Sequence, residues 1–344
     1  MKTVSKSIIT QNDVAIHAGV TRSMVSYVLN GSDRVVAPET RQKILDAIDE
    51  LGYRPNKFAR ALSMGNKGVL ADRHIGIVLP SADLFLRPYY AEILAGIHSA
   101  AHEKDYHIRF IRFFDELKNP VLFNQMIHSE EICGLLLIAT DLCMKTQEDM
   151  DIIERIQGRI DQIVCIEWQT PGLSSVSFDR QGAAIQATSY LIDKGYGDIV
   201  YIGESDQRVS GFKQAFIDHG ADDISGLHID GAMDMSSGYN AIKRIYQNRG
   251  VLPRAICAGS DEVAVGIIQF LHEQGITIPA ETAVISIDNI EISEYTNPPL
   301  TTVNVQKRSI GRRSVEMIIN RTAGRGENAL TMLLPINLII RESA

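Results

Sequence analysis

TQNDVAIHAGVTRSMVSYVLNG, residues 10–31, reads as two short helices joined by a tight turn. Thr10 suits an N-cap, and Val14, Ala15 and Ala18 form the apolar stripe of the first helix. Gly19 supplies a turn residue free of Cβ strain. Thr21 then caps a second helix in which Val25, Val28 and Leu29 can pack inward, leaving Arg22, Ser23, Ser26 and Tyr27 for the outer face. Two short helices joined by such a glycine-containing turn make a helix-turn-helix, whose second helix enters the major groove of DNA.

The next stretch predicts a third helix from about Pro38 to Leu51. Pro38 suits the first turn, Ile44, Leu45, Ile48 and Leu51 form the apolar face, and Gly52 stops it. YRPNKFARAL follows at Tyr53–Leu62, where Pro55 can start a fourth helix over about 55–62. A helix that short is marginal alone in water and needs DNA or a partner chain to fold against. MGNKGVLADR, residues 64–73, has glycine and charge without an apolar period and reads as a linker.

Beyond His74 the pattern changes to strand–helix alternation. Apolar runs recur at 75–80, 108–113, 134–139, 162–168, 199–204, 255–260 and 283–288, with amphipathic stretches between them. That alternation implies parallel sheets covered on both faces. Roughly 270 residues of it exceed one doubly wound sheet, so two α/β lobes are expected.

The chain of 344 residues has a formal net charge of −8, unevenly spread. Residues 1–68 hold ten Lys and Arg against six Asp and Glu, a balance of +4, leaving 24 against 36, or −12, for the remainder. A basic head on an acidic body confines phosphate attraction to one end. No run of 18 apolar residues suggests a membrane span, and MKTVSKSIITQND lacks a secretory leader's apolar core, so a cytoplasmic protein is expected. Cys133, Cys143, Cys165 and Cys257 lack C-x-x-C spacing and read as reduced thiols. No G-x-G-x-x-G follows the first strand, and no phosphate loop, H-E-x-x-H or G-x-S-x-G is present. Glu130–Glu131 and Asp222–Asp223 read as solvated turn charges. Neither catalysis, a cofactor nor a metal is expected.

The strings DVAIHAGV, VSYVLNG, ETRQKILDAIDELGYRPN and ARAL resemble the lactose/galactose repressor family of bacterial transcription regulators. Looser matches (PYYAEILAGI, LIDKGYGDIVYIG, AICAGSDEVAVGII, VISIDNIEISEYTNPPLTTV) carry the resemblance through nearly the whole chain. It implies an all-α helix-turn-helix headpiece at 1–63, ending in the hinge helix. A periplasmic-binding-protein-like core of two doubly wound lobes follows at 74–344. The first lobe would span about 74–177 and 305–332, the second about 178–304 and 333–344.

The resemblance also assigns roles. Arg22, Ser23 and Tyr27 occupy base-reading positions, although the family usually has arginine at the third. Arginine pairs bidentately with guanine, whereas tyrosine offers one hydroxyl and a ring for a thymine methyl, so the preferred half-site should differ. Thr21, Ser26, Asn30, Asn56, Lys57 and Arg60 suit the DNA backbone. Leu62 suits a wedge driven into the minor groove, or else an ordinary core position. RVVAPETR, one residue longer than the family norm, lacks its serine cap at Ala37.

A small-molecule effector is implied in a crevice between the lobes. Asp261 resembles the ligand-binding aspartate, with helix N-capping as its other reading, and Arg208 the ligand-gripping arginine. Tyr89 and Tyr90 match an aromatic pair that either stacks on a sugar or packs the core. Glu167, Asp179 and Asp288 stand at further strand ends. Met233 replaces a stacking aromatic, and Arg87 a common asparagine. The expected effector is a sugar or sugar derivative. The expected partners are operator DNA and a second copy of the chain, with no membrane. A transport-type sugar-binding protein, or a regulator answering to a nucleobase or a protein, is the competing expectation.

Overall fold

The computed structural model describes residues 9–30, 36–53, 73–220, 228–322 and 329–344. The hinge residues Asn56, Lys57, Arg60 and Leu62, and residues 64–72 of the linker, lie outside that set.

The headpiece is three helices, α1 (Gln11–His17), α2 (Arg22–Asn30) and α3 (Pro38–Leu51). Thr10 caps α1 in a reciprocal box: its hydroxyl accepts the Asp13 amide, while the Asp13 carboxylate accepts the Thr10 amide at 2.7 Å. Gly19 takes φ +66° in the turn, and Gly52 ends α3 in the left-handed region at φ +59°. Ala37 provides no side-chain cap, so Pro38 alone sets the entry to α3. Val14, Ala15, Val25, Val28, Ile44, Ala47, Ile48 and Tyr53 form the headpiece core, with Ala18, Leu29, Leu45 and Leu51 packed around it.

Two six-stranded sheets make up the body. The first runs in the order β11 (Thr331–Leu334), β5 (Ser174–Phe178), β4 (Ile163–Ile166), β3 (Gly134–Ile138), β1 (His74–Leu79), β2 (His107–Phe113). The second runs β12 (Asn337–Ile339), β10 (Thr301–Asn304), β9 (Ala283–Asp288), β8 (Ala255–Ala258), β6 (Ile199–Gly203), β7 (His228–Asp230). β2–β1–β3–β4 and β7–β6–β8–β9–β10 pair in parallel, and β12 pairs antiparallel with β10. Central strands such as β1, β3 and β6 are buried along their whole length, as helices on both faces require.

The covering helices are α4 (Pro88–Glu103), α5 (Pro120–Met126), α6 (Gln147–Gln157), α7 (Arg180–Asp193), α8 (Gln207–Asp218), α9 (Met235–Arg249), α10 (Asp261–Glu273) and α11 (Lys307–Thr322). The chain divides into two compact units. One is residues 1–84, 97–175 and 311–331; the other is 85–96, 176–310 and 332–344. The headpiece therefore groups with the first sheet. Segments 85–96 and 305–310, read from the sequence as first-lobe residues, group with the second.

Cys165 and Cys257 are buried, and Cys133 and Cys143 half-buried. Burial pushes the Cys257 thiol up to about 12, which makes it an inert packing group.

Candidate DNA interface and effector site

In the headpiece, Thr21, Arg22 and Ser23 are exposed at the start of α2, and Ser26 and Tyr27 are half-buried one turn on. The Thr21 hydroxyl accepts the Met24 amide at 3.4 Å, as a cap should. The first turn of α2 holds no acidic residue, so nothing opposes the positive end of the helix dipole. Such an end attracts phosphate, and Arg22 adds a planar fork of donors beside it. Asn30 stands in the last turn of α2.

In the second unit, side chains gather where β6, β8 and β9 end. Arg208, 7% exposed in the first turn of α8, holds the Asp206 carboxylate with both Nε (3.2 Å) and Nη2 (2.9 Å), and its Nη1 donates to the Gly259 carbonyl at 3.1 Å. Asp206 is also the N-cap of α8. One residue thus starts the helix and aims its arginine.

Asp261 is fully buried at the start of α10. The cap of that helix is Ser260, whose hydroxyl accepts the Val263 amide at 3.3 Å, so the capping role considered for Asp261 belongs one residue earlier. The Asp261 carboxylate turns inward instead. It accepts Ser286 Oγ at 2.5 Å, Thr302 Oγ1 at 2.6 Å and the Ile290 amide at 2.7 Å, tying α10 to β9, β10 and the turn after β9. Burial raises this carboxyl to about 6, against the pull of the two hydroxyl donors.

Asp288, 4% exposed, ends β9 with φ +129°, and Asn289 follows at φ +53°. Consecutive non-glycine residues in that region store strain of the kind found at ligand clamps. Burial and the neighbouring Asp261 charge raise the Asp288 carboxyl well above the usual range, while Arg208, Lys307 and Arg87 pull the other way. Lys307, only 3% exposed, donates its ammonium to the carbonyls of Asp288, Asn289 and Val305 at 2.6, 2.9 and 3.3 Å and pins the strained turn.

Arg87 completes the cluster. Its Nε and Nη2 meet Glu262 Oε2 at 2.9 and 2.8 Å, Nη2 also reaches the Met233 carbonyl at 2.5 Å, and the guanidinium carbon lies 5.7 Å from the Tyr90 ring centre. Tyr89, buried, meets half-buried Tyr90 edge-on at 5.2 Å. Met233 is buried, with its sulfur accepting the Glu204 amide at 3.5 Å. A Cβ on Gly259 would stand 2.6 Å from the Tyr201 hydroxyl and 3.0 Å from the Met233 sulfur, so any side chain there requires those neighbours to shift.

Tyr89, Tyr90, Arg208, Met233, Asp261 and Asp288 are therefore brought into one charged network of the second unit. Asp179 stands apart from it as the N-cap of α7, accepting the Gly182 amide at 2.8 Å. Glu167 belongs to the first unit, buried at φ +71° beside Trp168, whose indole donates to the Leu137 carbonyl at 3.1 Å. Asp206, Glu262, Lys307 and Gly259 were not singled out in the sequence. Their spacing alone carries no signal, because each is recruited by a partner distant in the chain or by the backbone.

Residues 10–56 match the family described as bacterial regulatory proteins, lacI family, and residues 188–344 the periplasmic binding protein-like domain. The HTH-type transcriptional repressor PurR of Pasteurella multocida (strain Pm70) is 28% identical over 345 residues, 97% of this chain and 98% of the relative. The ribose operon repressor of Escherichia coli (strain K12) is 28% identical over 327 residues, 91% and 92% of the two chains. Among solved structures, the transcriptional regulator CelR in complex with cellobiose superposes with a TM-score of 0.69 at 25% identity, covering 98% of this chain and 100% of the other. The lac repressor dimer bound to operator and an anti-inducer shares the fold at a TM-score of 0.68 and 22% identity, with 97% and 98% covered. No helix among the described residues is long and apolar enough to cross a membrane. The chain thus joins a lacI-type DNA-binding headpiece to a two-sheet periplasmic-binding-protein-like body, the build of the DNA-binding transcription regulators that it resembles along nearly its whole length.

Proposed function

We propose that this protein is a cytoplasmic, homodimeric transcriptional repressor whose hold on its operator is set by a sugar or sugar derivative. It works by binding and performs no chemistry. Arg22, Ser23 and Tyr27 read bases, while Thr21, Ser26, Asn30, Asn56, Lys57 and Arg60 meet the DNA backbone and Leu62 wedges the minor groove. The effector is met by Tyr89, Tyr90, Arg208, Met233 and Asp288, with Asp261 at the same strand ends and Glu167 and Asp179 as further contacts.

The observation that carries this reading is the convergence of Arg208, Asp288 and the Tyr89–Tyr90 pair in one buried network at strand ends. Charge-assisted donors and acceptors beside an aromatic face suit a polyhydroxylated ring. The repressor role is supported by the names of the curated relatives, and the sugar by the ribose operon repressor and the cellobiose complex.

Arg87 favours a second ligand chemistry. A guanidinium 27% exposed in its side chain, placed beside the aromatic pair, suits an acidic sugar, a carboxylate or phosphate ester. The test is selection of DNA from a random pool by the full chain, followed by binding to the selected site at fixed salt with a panel of neutral and acidic sugars. Release or tightening by one of them supports the reading. Failure to enrich any DNA sequence would overturn the regulator, and indifference to every sugar would overturn the effector class.

A further inference from the structure

The headpiece is in contact with the rest of the first unit, and the contact falls on two adjacent residues of α3. The Ile48 carbonyl lies in the last turn of α3 and accepts the amide of Gly52, the residue that caps the helix. It receives the Tyr53 amide at 3.0 Å and, from α5 of the body, the side-chain amide of Asn124 at 3.2 Å. Asn124 is fully buried. Asp49 is paired with Arg155 of α6, whose guanidinium is stacked 4.3 Å from the centre of the Phe123 ring. Val121 packs against the headpiece core, while Phe123, two residues on, is buried in the core of the first sheet. The short helix α5 is thus apolar towards both bodies, with a buried amide between them. The face of α2 that reads DNA stays open in this arrangement, with Thr21, Arg22 and Ser23 exposed.

We propose that α5 and Arg155 brace the headpiece, holding it in one orientation on the first unit while its recognition helix remains free for DNA. A buried side-chain amide capping another module's helix, a stacked arginine and an apolar contact at one spot make a specific seat. An oriented headpiece loses less rotational freedom when it docks, so the brace raises operator affinity without touching DNA. It also gives the body a grip on the headpiece through α3, separate from the hinge. The proposal rests on the DNA-binding role of the headpiece, but its first test needs no DNA.

The experiment measures NMR relaxation of headpiece amides in the full chain. The expected result is a rotational correlation time equal to that of the body, and a headpiece tumbling as an independent small domain overturns the brace. Arg155→Glu should shorten that time and weaken binding to pool-selected operator by roughly two- to fivefold, the scale of one disrupted, partly exposed ion pair. The exchange Asp49→Arg with Arg155→Glu should recover the slower tumbling. Asn124→Leu, which keeps the shape and removes the hydrogen bond, should loosen the headpiece in the same direction. Wild-type tumbling in both Arg155→Glu and Asn124→Leu would overturn the proposal, whereas failure to select DNA would strike only the regulator reading.

Discussion

Arg87 rests its guanidinium on a single oxygen of Glu262, with Nε and Nη2 at 2.9 and 2.8 Å. The Glu262 side chain is 9% exposed, so that partner takes the place of water around it. Arg87→Ala leaves a buried carboxylate without its cation and is expected to cost about 1–3 kcal/mol of stability. Adding Glu262→Gln should return most of the loss. Urea unfolding of the two single variants and the double checks this, and strictly additive losses would show that the residues are uncoupled.

The buried acids give a pH dependence of definite sign. Asp261 binds its proton more tightly in the folded chain, at about 6 against an ordinary 3.8, and Asp288 is shifted the same way. The folded state therefore holds protons that the unfolded chain releases first. Stability from this pair is full below about pH 4 and shrinks as pH rises through about 6. Asp288→Asn should flatten that slope. The measurement is the urea midpoint between pH 4.5 and 7.5 for both proteins, and equal slopes would refute the assignment.

Gly259→Ala is expected to destabilise by about 1–3 kcal/mol through overpacking. Its Cβ would press on the Tyr201 hydroxyl at 2.6 Å. That hydroxyl is buried and makes no hydrogen bond among the described residues. Tyr201→Phe should therefore be mild alone and should recover part of the Gly259→Ala loss. Thermal unfolding of the set decides, and no recovery would place the clash on Met233.

At the DNA interface, Arg22→Ala should change which base is preferred, with a loss of about 1–3 kcal/mol on the best site. Lys57→Ala should weaken every sequence alike and lower the salt slope by about one. Repeating the selection with each variant separates them. Uniform weakening by Arg22→Ala would remove it from the base readers.

Some elements are legible in the sequence because their signals are local. The bounds of α3 follow from Pro38 at its start and Gly52 in the left-handed region at its end. Strand β5, SSVSF, is not legible, because its hydroxyls are matched by remote groups. The Ser174 oxygen accepts the Leu330 amide at 3.1 Å, and Ser175 donates to Thr331 at 3.3 Å. Arg208 stood out by its place at a helix start, but the carboxylate that aims it, Asp206, looks like any cap. Lys307 could not be found at all: three carbonyls from two stretches of chain hold it, and carbonyls have no letter in a sequence.

The seat of α3 on α5 also bears on how such proteins are recombined. A headpiece looks like a cassette that could be exchanged at residue 53, just past the glycine that ends α3. A chimera cut there would part Ile48 and Asp49 from Asn124, Val121 and Arg155, leaving a carbonyl, a carboxylate and an apolar patch facing a foreign surface. Grafts that carry matching residues at 121, 124 and 155 along with the headpiece keep that surface intact. The unit of exchange is therefore discontinuous in the chain.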